Sequence, residues 1–289
     1  MAINSGFRNV TYLPVIVPKQ TVNRKKSGLY AKNAEVHCIN HATSCSLLTS
    51  FNKRHKLMKT TLLSLSLLVF ALAATAQEWK KDRPVSGITS LQVSHGIDVI
   101  LIQGNSEKLT LEVKGIDEND VKSTVKNGVL TLAVERTGNW NMSWRNTSIK
   151  AYLTFKQLKN IQASGGADIE SQNSLWFNNL NMSVSGGADV KLSLKADQIN
   201  LELSGGADVD LQGSVRIFNV EGSGGADLDA GQLVAETCTA YAHGGADISV
   251  NANREITLKA SGGGDISYSG SARLVSKSES GGGDISRRN

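Results

Sequence analysis

The chain has 289 residues, 31 of them Lys or Arg and 26 Asp or Glu, a formal net charge of +5. Ten of the basic residues and one acidic residue fall in 1–76, which leaves 21 against 25 in 77–289, a net of −4. The larger part therefore lacks the basic footprint of a nucleic-acid or anionic-membrane binder. Cys238 is the single cysteine beyond residue 76, so that part can form neither an intramolecular disulfide nor a paired-Cys zinc motif.

Residues 1–57 show no clear periodicity and precede a good initiator, Met58. They read as an unstructured, over-extended gene start. Residues 58–76 read as a secretory signal peptide. Lys59 supplies the positive n-region, Leu62 to Leu72 the apolar stretch, and Ala74-Thr75-Ala76 the small residues of a cleavage site. The apolar run is short for a stable membrane span. A linker at 77–85 then leads to one domain over 86–289.

From Ile88 the chain alternates apolar and polar residues, as half-buried strands do. Gly96-Ile97-Asp98 precedes the run Val99 to Ile102, and Leu109, Leu111 and Val113 alternate next. Val121 to Val125 and Val129 to Val134 flank Asn127-Gly128, a hairpin signal. A polar loop, 137–148, carries Trp140 and Trp144. These indoles suit ligand contact by stacking, or else cover the open end of a core. Ile149 to Phe155 form a further strand.

A repeat array over 159–289 follows. Ser-Gly-Gly-Ala-Asp and an aliphatic residue recur with small departures, the aspartates falling at Asp168, Asp189, Asp208, Asp227, Asp247, Asp265 and Asp284. A period of about 19 residues marks a stacked array. Residues one, three and five before the Ser position are mostly apolar, as in Val184, Met182 and Leu180, and so is the residue after each Asp. These columns predict inward walls. Gln212-Gly213-Ser214, Asn251-Ala252-Asn253 and Ser269-Gly270-Ser271 read as turns between strands. The fold class is all-β, a parallel β-helix or β-solenoid of about 19-residue coils with a β-hairpin-rich N-terminal part. Lys277 and Glu279 interrupt the apolar columns in the last coil, which is how a solenoid blunts an open end.

The aspartates form a structural ladder at the repeat corners. In a parallel stack they stand ~4.8 Å apart, where two unit charges repel by roughly 0.9 kcal/mol in water. Asx-type hydrogen bonds from Gly or Ala amides would offset this. A bridging Ca²⁺ ladder is the other reading, and the mixed residues two beyond each Asp do not supply it with a uniform second ligand row. Gly-Gly permits positive φ at the corner, and Gly206 is taken as a position that needs it. No catalytic constellation, cofactor site or metal pair is evident. His243 stands alone in the Ser column, far from His95.

The phrase Gly96-Ile97-Asp98-Val99, the Asn127-Gly128-Val129-Leu130 hairpin and the Ser-Gly-Gly-Ala-Asp series together resemble the bacterial family described as putative auto-transporter adhesin, head GIN domain. The resemblance covers residues 86–288. It implies a β-helix-like fold and export in the Bacteroidota, and it brings no catalytic residues. The expected function is a non-enzymatic exported module for binding or adhesion, in the periplasm, at the outer-membrane surface or outside the cell. Its partner would be a glycan or a cell-surface protein, with homo-oligomers left open. Two alternatives remain: a polysaccharide-acting lyase or hydrolase, hinted at by Lys191 among acids, and a periplasmic structural or envelope-stress protein.

Overall fold

The computed structural model describes residues 78–135 and 147–288, and apart from a 3₁₀ turn at Glu118–Asp120 the regular elements there are β-strands. The first seven are β1 (Glu78–Arg83), β2 (Ser90–Val93), β3 (Asp98–Gln103), β4 (Lys108–Lys114), β5 (Val121–Lys126), β6 (Val129–Val134) and β7 (Ser148–Phe155). Next come β8 (Asn160–Ser164), β9 (Asp168–Ser171), β10 (Leu175–Gly186), β11 (Asp189–Gly205) and β12 (Asp208–Gly222). The last are β13 (Asp227–Gly244), β14 (Asp247–Gly262), β15 (Asp265–Ser269), β16 (Arg273–Glu279) and β17 (Ile285–Arg287). All seventeen belong to one hydrogen-bonded sheet.

From β8 onward the pairing is parallel, one coil on the next. Leu180, Ile199, Phe218, Cys238 and Ile256 lie in register across β10 to β14, each on its equivalent. This is the β-solenoid that the period predicts. A fixed repeat of apolar positions can bury its side chains only by stacking like on like, since a slip of one residue would turn every inward side chain out. The columns are inward as expected: Val184, Met182 and Leu180, with their equivalents in the next four coils, are buried, as is the aliphatic row Ile169 to Ile285.

A further inward row is the Ala of the corner phrase. Ala167, Ala188, Ala207, Ala226 and Ala246 are at most 1% exposed. Gly264 and Gly283 take this place in the last two coils. A Cβ on Gly264 would stand 2.9 Å from the carbonyl carbon of Ala242, so no side chain fits there.

The expected turns at 212–214 and 251–253 are not breaks. Both segments run inside β12 and β14 as continuous strand. The chain bends there without leaving the ladder: Gly213 has φ 125°, and Leu194 pairs with it across β11–β12.

The N-terminal part holds the expected hairpin, β5 on β6, closed by Asn127 and Gly128 at φ 52° and 79°. These are the left-handed values a two-residue hairpin turn requires. It also contributes coils to the stack. β2 and β3 pair in parallel with β8 and β9, and β6 and β7 pair in parallel with β2 and β3 on the outer side. The stack therefore begins with β6–β7, although β2–β3 comes first in the chain. β4 then adds antiparallel to β7, and β1 to β4.

At the other end, Lys277 and Glu279 occupy the inward columns of β16, in register with Leu258 and Ala260. The Lys277 ammonium lies 2.9 Å from Glu279 and donates to the Ile285 carbonyl at 2.8 Å. Glu279 in turn accepts the Ile285 N–H at 2.7 Å. This ion pair lies over the last coil and turns an apolar end into a polar one.

Candidate functional site

The corner phrase places one aspartate per coil on the outer surface. Asp98 is in register with Asp168, and the row continues through Asp189, Asp208, Asp227, Asp247 and Asp265. Asp284 follows, its N–H donating to Asp265 Oδ1 at 3.0 Å. The ladder thus has eight rungs, one more than the repeat phrase alone shows. Lys150 stands in the next position beyond Asp98 and ends the row with the opposite charge.

Among the described residues only one ladder carboxylate accepts a backbone amide, Asp265 from Asp284 in the next coil, and none accepts the Gly or Ala amide expected of an Asx-type turn. The corner amides are already engaged: Gly206 N–H donates to Gly186 O at 2.7 Å, and Asp208 N–H to Ala188 O at 3.0 Å. The glycine that needs a left-handed backbone is also not Gly206 but its predecessor, Gly205, at φ 76°.

Crowding leaves a mark on the ladder. Partial burial, then the neighbours Asp98, Asp189 and Glu170, push the Asp168 carboxyl above its ordinary value. Burial, then Asp208 and Asp247, do the same to Asp227. At Asp98 burial raises the value while Lys150 opposes it. Among the described residues no group of three or more His, Cys, Asp or Glu is disposed to hold a metal ion.

A second outward row is made of amides. Asn181 Nδ2 donates to Asn160 Oδ1 at 3.1 Å, Asn200 to Asn181 at 2.9 Å, and Asn219 to Asn200 at 2.9 Å. Asn160 continues the row to the Ser90 hydroxyl at 2.9 Å. The signal was available in sequence, since an Asn falls four residues before the Ser position in four successive repeats.

Three surface hollows differ in how much of their polar capacity is used. One of about 460 Å³ lies against β1, β4 and β7 and is fully paired. There Lys80 bonds Glu112, Tyr152 donates to Glu112 at 3.2 Å, Lys108 pairs with Asp82, and Thr110 donates to Asp82. Another, of about 680 Å³ beside Pro84 and Asn127, holds Glu107, which is engaged by the N–H groups of Gly87 and Ile88.

The third, of about 290 Å³, is lined by Glu170, Lys191, Ser193, Asp210, Gln212 and Gln232 on the outer face of four neighbouring coils. Lys191 is in register with Glu170 on one side and Asp210 on the other. Among the described residues none of these six side chains is used in a side-chain hydrogen bond or an ion pair.

Trp140 and Trp144 lie outside the described residues, as does the segment 1–76. Trp176, which the sequence reading passed over, is 52% exposed on β10. Its parity gave the signal, since Leu175 and Phe177 on either side face inward. Cys238 is buried in the stack, and burial pushes its thiol up to about 12, so it is an inert core residue. His243 is 3.8 Å from Glu221 on the exposed face.

The chain is similar to solved structures of the same fold. A putative adhesin from Bacteroides fragilis is 25% identical, with a TM-score of 0.67, over 74% of this chain and 98% of its own. A putative lipid binding protein from Parabacteroides distasonis is 18% identical (TM-score 0.57, 74% and 97% covered). A putative adhesin from Parabacteroides merdae is 17% identical (TM-score 0.58, 74% and 97% covered). No curated protein matches the chain. The sequence pattern of one family matches residues 88–272, well over half the chain, and with the stacked fold it settles membership: the chain belongs to the family described as putative auto-transporter adhesin, head GIN domain.

Proposed function

We propose that this chain is a non-enzymatic exported binding module of the cell envelope or surface, whose partner is a glycan or a cell-surface protein. The observation that carries this reading is the outward register of the coils. Chemically alike side chains repeat along the stack every ~4.8 Å, as in the aspartate row and the asparagine row. Such a face can meet an extended partner at many equivalent points, so weak contacts add up. Family membership and the likeness to the Bacteroides fragilis putative adhesin support the same reading. Export would follow removal of 58–76 as a signal peptide, leaving 77–289 with its net charge of −4. Among the described residues no helix is long and apolar enough to cross a membrane.

The test is a printed glycan array probed with the purified protein, run beside pull-downs on intact cells. Retention on a glycan or on a cell-surface protein supports the module; retention on neither overturns it. A second reading, a polysaccharide lyase or hydrolase, is favoured by one observation: Lys191 stands between Glu170 and Asp210 in an open hollow. A basic group beside carboxylates is what proton transfer at a sugar carbon would need. Release of reducing ends from any bound polysaccharide would establish that reading and displace the first.

A further inference from the structure

We propose that the hollow on the outer face of β9 to β13, together with Trp176, is a subsite for one uncharged sugar ring of a glycan. This rests on the binding-module reading and names its site and ligand class.

Three observations carry it. The hollow, of about 290 Å³, has the scale of a single ring rather than of a drug-sized ligand. Six of its seven polar side chains, from four coils, have their hydrogen-bonding capacity unused, and only the Ser171 hydroxyl is engaged, by the Ser193 N–H at 2.8 Å, whereas the hollow over β1, β4 and β7 is internally paired. Two carboxylates, two amides, a hydroxyl and an ammonium supply both donors and acceptors, the complement of a ring of hydroxyl groups.

The third observation is a fixed aromatic. Trp176 is exposed, yet its backbone is clamped at both polar atoms: its N–H donates to Gln103 Oε1 at 2.6 Å and its carbonyl accepts from Gln103 Nε2 at 2.9 Å. Asn173 holds Gln103 in turn, accepting its N–H and donating to its carbonyl, both at 3.1 Å. Trp176 is in register with Lys195, two residues along β11 from Ser193 in the hollow. Those steps are ~4.8 Å across and at most ~6.6 Å along, since the strand bends there, which puts the backbones of Trp176 and Ser193 within about 8 Å. Trp176 does not line the hollow itself, and its exposed indole would serve from the rim as a flat apolar face for a sugar whose hydroxyls reach the hollow.

Charge selects the class. Glu170 and Asp210 flank Lys191, and the Asp189 and Asp208 rungs lie two residues away on the same strands. Uronates and sulfated sugars would meet net negative charge there, so the ring is neutral.

The test uses the full chain and arrays of neutral oligosaccharides (glucose, galactose and N-acetylglucosamine trimers), with alginate and heparin as anionic probes. The expected result is binding to a neutral trimer. Trp176→Ala should weaken it by about tenfold or more, the scale of a truncated aromatic anchor. Gln212→Ala, an exposed amide, provides a second variant, and both should keep the wild-type melting temperature. If a glycan binds and neither variant weakens it, the module stands and this subsite is wrong. If alginate or heparin binds in preference, the neutral class is wrong. If no glycan binds while a cell-surface protein is captured, the subsite falls and the binding module survives.

Discussion

At the residue scale the decisive groups are small. Gly205 stands at φ 76°, and a Cβ there would lie 3.1 Å from Gly186 N and 3.2 Å from Gly186 O. Strain and contact act together, so Gly205→Ala should destabilise by about 1–3 kcal/mol. Gly206→Ala should be much milder, since its Cβ would meet Gly186 O at 3.5 Å, an ordinary contact. Equal denaturant midpoints for the two variants would refute this division. The sequence shows that a Gly-Gly corner exists but not which glycine turns left-handed, because the pair looks symmetric until the ladder assigns each amide a carbonyl.

The aspartate row can be tested by titration. The Asp227 carboxyl is raised by burial and by Asp208 and Asp247, so the folded chain binds that proton more tightly than the unfolded one. Its ionised form therefore costs stability at neutral pH, and the cost is relieved as pH falls through the carboxylate range. Asp227→Asn should be as stable as wild type or slightly more so at pH 7, by under about 1 kcal/mol for an exposed group. Its advantage should shrink on acidification. A variant less stable at pH 7 by thermal melting would mean that the carboxylate makes a favourable contact.

At the scale of the coil, two rows can be compared. Leu201 is 2% exposed between Met182 and Val220. Leu201→Asp buries a charge without a partner and should abolish cooperative unfolding. Asn200 faces outward, yet it donates to Asn181 and accepts from Asn219 and Gln198. Asn200→Asp removes the donor and should cost about 1 kcal/mol, a loss that a surface position without such bonds would not show. A melting temperature unchanged by Asn200→Asp would mean that the amide row contributes nothing.

The period made the coils from β8 onward legible, since every inward column repeats with it. The first two coils were hidden for physical reasons. Asp98 and Asp168 are neighbours in the stack but 70 residues apart in the chain, because β4 to β7 intervene. In the outermost coil Lys150 stands in the aspartate place, so no phrase marks it. The candidate site was less legible still. Lys191 was visible as a base among acids, but Glu170, Asp210, Gln212 and Gln232 become one hollow only when four coils are laid side by side.

For the whole molecule the question is what stops a parallel stack from growing. Each coil exposes an inward wall and a row of unpaired amides to whatever comes next, and an open end of that kind templates association. The N-terminal end is covered by antiparallel strands, β4 and β1 on one side and β5 on the other. At the C-terminal end the means is chemical. Lys277 and Glu279 replace the apolar pair that Leu258 and Ala260 form one coil earlier, and both are tied to Ile285. Their ion pair is exposed and contributes little stability by itself. Its effect is to make stacking costly, because a docking coil would have to desolvate both charges. The double substitution Lys277→Leu with Glu279→Ala restores the apolar columns and removes that cost. The folded variant should then associate end to end, reaching a higher mass than wild type at equal concentration by light scattering after gel filtration. Its melting temperature should fall by no more than the loss of the two bonds to Ile285 explains, about 1 kcal/mol each. A variant with the wild-type mass at every concentration would show that the backbone edge, not the ion pair, limits the stack.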